Sequence, residues 1–134
     1  MARKPDPEIV AALTQVTDFS RDVISAMALA GTKVNIPERW SVMSESTPAD
    51  MAYVLLSGEV EVRVHREPVA TLPPGQIFGE IALLSHSLRS ASVVATSPIT
   101  VLRLDASSLQ KIVDDHPDFA AKLAEGATLR QSES

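Results

Sequence analysis

The sequence predicts one α+β domain, mainly β: helices, about eight short strands, then helices again. Three observations predict it. Apolar residues recur at helical spacing at both ends of the chain. Between them, short β-like runs are punctuated by turn residues roughly every 6 to 12 positions, the pattern of a small antiparallel sandwich or barrel. Within the strands one segment, Glu80 to Leu84, is too small and too helix-friendly for a strand arm and reads as an inserted helical turn.

The elements follow in order. Residues 6–29 hold two helices split near residues 17–20. Ile9, Val10, Leu13 and Val16 share one face of the first, and Val23, Ile24 and Met27 one face of the second. Asp18 and Ser20 are candidate caps, and Gly31 suits the second C-terminus. "TKVNI" and "WSVM" read as short strands and "SESTPAD" as a plain connection. "MAYVLL", "SG" and "EVEVRV" read as a hairpin; Val60, Val62 and Val64 alternate with Glu59, Glu61 and Arg63, one face buried and one wet. "PVATL" is a strand ended by the breaker cluster "PPGQ". "ASVVATS" and "ITVLRLD" follow, divided by Ser97 and Pro98. Asp105 or Ser107 caps a helix whose Leu109, Ile112 and Val113 share a face. Pro117 opens a last helix with Phe119, Leu123 and Leu129 as its apolar side.

Bulk properties narrow the function. The chain has 134 residues, 45% of them hydrophobic, and a net charge of −5. That suits one core and argues against nucleic-acid binding by this segment, because an acidic surface repels a phosphate backbone. The absence of cysteine excludes a disulfide framework and a thiolate zinc site. "MARKPDPE" is followed by no apolar stretch of signal-peptide type, and no run is long enough to span a membrane. A soluble, cytoplasmic protein is expected. His65, His86 and His116 are isolated and read as surface or loop residues, with no metal site. Trp40 and Tyr53 read as core or rim aromatics and Arg103 as solvent-facing. Arg130 reads as a solvated tail residue, although it could stack on a ligand base.

The chemistry concentrates at "FGEIALLSHSLRSAS", residues 78–92. A helical turn inserted among strands offers free backbone N–H groups to an anion. Gly79 permits close approach, and Arg89 adds a planar, permanently charged fork suited to phosphate oxygens. Ser90 and Ala91 are small enough for a ligand to lie against their backbone. Glu80 would repel a phosphate and needs its own target; a ribose hydroxyl is a good one. One phosphate charge beside one free hydroxyl describes a cyclic 3′,5′-nucleotide, although other sugar phosphates share that chemistry.

The same stretch, "FGEIALLSHSLRSASVVA", resembles the phosphate-binding cassette of the cyclic-nucleotide-binding domain family through Phe78, Gly79, Glu80, Ala82, Leu83, Arg89, Ser90, Ala91 and Val93. Tyr53, Gly58, Val60 and Val62 resemble the family's upstream hairpin. The likeness runs from about residue 18 to residue 129. It implies an eight-stranded antiparallel, jelly-roll-like β-roll with N-terminal helices, a short cassette helix and C-terminal lid helices. The boundaries implied are a helical extension over residues 1–17, the binding domain over 18–130 and a flexible tail over 131–134. By position, Glu80 with the Gly79 backbone would take the ribose 2′-hydroxyl. Arg89 would pair with the cyclic phosphate, helped by backbone or hydroxyl groups at Ala82, Ser90 and Ala91, with Ile81 a further ligand-binding candidate. The base would rest on β-roll side chains under the last helix.

Ser90, where some relatives carry a threonine that favours cGMP, leans the reading to cAMP, with cGMP second. The sequence departs from the family's pattern at Leu88, usually proline or an acidic residue, and at the tip "SHS", which lacks a glycine. The expectation is a non-enzymatic regulatory module without a cofactor, monomeric or weakly dimeric, that signals to a fused or separate effector. Two alternatives stand beside it: the same fold acting as a nucleotide-independent interaction or sensor domain, and a cupin-type metalloenzyme, whose ligand cluster the sequence does not supply.

Overall fold

Asp6 accepts a hydrogen bond from the Glu8 backbone N–H and starts α1 (Pro7–Val16), with Pro7 in the first turn where its missing N–H costs nothing. The computed structural model describes residues 4–123. Ser20, rather than Asp18, caps α2 (Arg21–Ala30) by accepting from Val23. Eight strands follow: β1 (Thr32–Ile36), β2 (Ser41–Met43), β3 (Met51–Ser57), β4 (Val60–Val64), β5 (Glu67–Leu72), β6 (Ile77–Phe78), β7 (Ser92–Ala95) and β8 (Ile99–Asp105). A short helix, α3 (Glu80–Ser85), stands between β6 and β7, and Asp105 caps α4 (Ala106–Asp115). A further helix begins at residue 117 and is described to residue 123. Leu129, Arg130 and the 131–134 tail lie outside the described residues.

The strands form two antiparallel four-stranded sheets, ordered β1-β8-β3-β6 and β2-β7-β4-β5. This is the expected mainly β architecture with helices. The expected hairpin of residues 51–64 does not form. β3 pairs with β6 and β8 while β4 pairs with β5 and β7, so the chain changes sheet at residue 58. Gly58 makes that corner at φ 86, where a Cβ would fall 2.5 Å from the Pro98 carbonyl. The hairpin that does form joins β4 to β5 through His65 and Arg66, both at positive φ, as a tight two-residue connection requires. β6 escaped the sequence reading because two residues carry no period.

Two apolar clusters result. One fills the space between the sheets, around Leu55, Val60, Phe78, Val93 and Val101. The other joins the helices to the outside of the first sheet: Ile9 and Leu13 of α1, Met27 of α2, Leu109 and Ile112 of α4, Phe119, and Leu83 of α3. Beside this second cluster Phe119 meets Phe19 edge-on at 5.2 Å, and Lys122 pairs with Asp18 at 3.1 Å. Residues 117–123 are therefore docked on the α1–α2 connection. No described helix is long and apolar enough to cross a membrane.

Candidate functional site

Gly79 ends β6 and starts α3 in the left-handed region, φ 83. A Cβ there would sit 2.6 Å from Nη1 of Arg89. The reason is direct: Arg89 Nη1 donates to the Gly79 carbonyl at 2.7 Å, and Nη2 donates to the Met51 carbonyl at 2.6 Å. Asp50 stands 3.7 Å from Nη2. Arg89 is 3% exposed and Glu80 2%, the two buried charged residues of the described chain. A guanidinium buried this far is tolerable only with carbonyl or anionic partners, and the Gly79 and Met51 carbonyls supply them.

The expected site residues come together in part. Gly79, Glu80, Ile81 and Ala82 form the first turn of α3, where backbone N–H groups lack helical acceptors. Arg89 crosses back to Gly79 and closes the cassette into a loop. Ala91 is buried and Ser90 exposed. His86 ends α3 at φ 55, ψ 40, the conformation a glycine would take without strain. Leu88 is 58% exposed and bridges to Pro48 through backbone.

Sequence reasoning missed the loop over residues 44–50, read as a plain connection. The Ser46 N–H donates to the Arg89 carbonyl at 2.8 Å, and the Arg89 N–H donates to the Thr47 carbonyl at 2.9 Å. The loop is a strap that grips Arg89 by its main chain on both sides. No local signal marks it, because the contacts are made by backbone groups.

A cavity of about 300 Å3 opens beside the guanidinium, lined among others by Val42, Met43, Thr47, Asp50, Tyr53 and Arg89. Tyr53 stacks on Phe78 at 5.3 Å. Burial pushes its hydroxyl above the usual 10; Asp50 adds to this, and the Arg89 and Arg103 charges oppose it. Trp40, expected in the core or rim, is 64% exposed on the β1–β2 connection. Arg103 faces solvent as expected. A larger hollow of about 550 Å3 lies on the outer face of the second sheet. There Arg63 is engaged by Glu61 at 2.7 Å, and His65 Nδ1 lies 3.7 Å from Glu45.

The chain is thus a β-roll with an inserted helix and a buried arginine beside a cavity. Residues 33–116 match the family model for the cyclic nucleotide-binding domain, and the chain belongs to that family. It is a cyclic-nucleotide-binding regulatory domain. It is 32% identical over 99 residues to the Pycsar effector protein PaPycTIR of Pseudomonas aeruginosa, covering 73% of this chain and 32% of that protein. It is 34% identical over 106 residues to a cAMP-dependent protein kinase regulatory subunit of Hypocrea atroviridis, covering 79% and 22%. A crystal structure of a cyclic nucleotide-binding domain from Methylobacillus flagellatus superposes with TM-score 0.73 at 25% identity, covering 94% of this chain and 78% of that one. The chain spans about a third or less of these two curated relatives.

Proposed function

We propose that the chain binds cAMP in preference to cGMP, that Arg89 and Glu80 hold the ligand, and that binding is signalled through the C-terminal helices to a fused or separate effector. The observation that carries this is the buried Arg89 guanidinium, aimed by the Gly79 and Met51 carbonyls beside the cavity. A cyclic phosphate brings one negative charge, which one arginine and the α3 N–H groups at Ile81 and Ala82 match. Glu80 takes the ribose 2′-hydroxyl, and the backbone at Ser90 and Ala91 completes the phosphate contacts.

The base rests on the inner face of β4 and β5. Val62 packs toward the inter-sheet cluster and stands directly opposite Ala70, which is exposed, leaving a bare apolar strip. The signal leaves through Leu83: one face of α3 meets the ligand while Leu83 shares an apolar cluster with Leu109, Ile112 and Phe119. Ligand binding shifts the population toward a closed lid by way of this packing. The chain itself binds and signals and performs no catalysis.

Calorimetric titration with cAMP and then cGMP tests the reading. The Arg89→Ala variant should bind more weakly by about 2–5 kcal/mol, roughly 30-fold or more, because the buried phosphate loses its partner. Arg89→Lys, which keeps the charge but not the fork, should fall between. Equal curves for all three chains would remove Arg89 from the site. A folded wild type that binds neither nucleotide would favour a nucleotide-independent interaction module, the reading that His86 and Leu88 support.

A further inference from the structure

We propose that Glu45 is a positioning residue for ligand binding: it ties the β4–β5 hairpin tip to the strap that fixes Arg89. The inference rests on Arg89 being the phosphate ligand. A loop carboxylate is by default a solvated charge, but the Glu45 side chain is only 21% exposed and is committed at both ends. Its Oε1 accepts from the His65 backbone N–H at 2.9 Å, and its own N–H donates to Ser92 Oγ, at the start of β7, at 2.9 Å. The next two residues, Ser46 and Thr47, grip the Arg89 main chain. Three successive strap residues thus meet β7, the hairpin tip and the cassette.

The strap is wound to make this possible. The Thr47 hydroxyl donates to the Ser44 carbonyl at 2.5 Å, and Ser46 sits at φ 66. The hairpin tip has His65 and Arg66 both at positive φ, so the turn directs the His65 N–H to an outside acceptor. An ionised carboxylate is the strongest acceptor available to it. Through Glu45, the strand pair assigned to the base and the arginine assigned to the phosphate share one hydrogen-bonded brace.

Removing the carboxylate frees the strap from the hairpin and lets Arg89 wander from the geometry its ligand requires. Glu45→Ala should weaken cyclic-nucleotide binding by roughly tenfold, while Glu45→Gln, which keeps an acceptor for the His65 N–H, recovers most of it. His65→Gly keeps the backbone donor and suits φ 52, so it should bind as wild type. Because Glu45 acts through Arg89, Glu45→Ala should cost much less in an Arg89→Lys background than alone.

The ligand-free protein gives a separate readout: the Ser46 and Arg89 amides should exchange faster with solvent in Glu45→Ala and not in His65→Gly. Wild-type affinity and unchanged exchange in Glu45→Ala, or full additivity with Arg89→Lys, would overturn the proposal. If the wild type binds no cyclic nucleotide, the functional reading fails first, and the exchange data still decide whether Glu45 holds the strap.

Discussion

His86 occupies φ 55, ψ 40 at the end of α3, where a side chain with a Cβ is strained by about 1–2 kcal/mol. The family's glycine would relieve that strain, and a looser unfolded chain would take part of the gain back. His86→Gly should therefore stabilise the fold by about 0.5–1 kcal/mol, read as a higher denaturant midpoint with unchanged slope. A lower midpoint would mean that the imidazole makes a contact worth more than the strain. Leu88, the second departure, is accommodated differently. Its side chain points to solvent while the Ser46–Arg89 and Arg89–Thr47 backbone bonds hold the segment around it. At this scale the sequence was informative where chemistry is rare. A glycine, a carboxylate and an arginine in an apolar setting marked the segment in which Glu80 and Arg89 are both buried. Glu45 was invisible, because a loop glutamate looks the same whether it is solvated or braced.

Elements were legible where they have a period and a cap. The helices α1, α2 and α4 matched, because apolar spacing and capping residues act locally. Asp105 shows the cap at work: its carboxylate accepts from the Ser108 N–H at 2.8 Å and from the Ser107 hydroxyl at 3.1 Å. The Ser108 backbone bond, with help from the serine hydroxyls, holds its pKa below the ordinary 3.8. A lowered folded pKa means the contribution is complete above the ordinary carboxylate range and is lost as pH falls through the folded value. Asp105→Ala should melt below wild type at pH 7, and the gap should narrow as acid titrates the wild-type cap. Asp105→Asn, which keeps an acceptor without the charge, should melt in between at pH 7. Identical melting of Asp105→Ala and wild type at neutral pH would show that α4 does not depend on this cap. Strand pairing was less legible. Residues 51–64 carry a hairpin's alternation, yet Gly58 sends the second arm to the other sheet, since alternation records which face is buried and not which neighbour is bonded.

Across the whole molecule, the β6–α3 segment, like β3 and β8, contributes to both apolar clusters. Phe78 lies in the cluster between the sheets and Leu83 in the cluster beneath the helices. On the proposed reading, a ligand that draws α3 toward its phosphate should disturb the cluster that Leu83 shares with Leu109, Ile112 and Phe119, although none of these lines the cavity beside Arg89. Packed cores respond in discrete rearrangements rather than by smooth deformation, so the disturbance should reach α4. Amide exchange across Ala106–Asp115 should change when cyclic nucleotide is added, alongside the expected protection of residues 79–91. In Leu83→Ala, truncation of a side chain only 3% exposed should cost about 2–5 kcal/mol of stability. If that variant stays folded at low temperature, it should keep the cassette response and lose most of the response in α4. Protection confined to the cassette and strap in the wild type would mean that the ligand is bound without the helices being told, and the route through Leu83 would have to be abandoned.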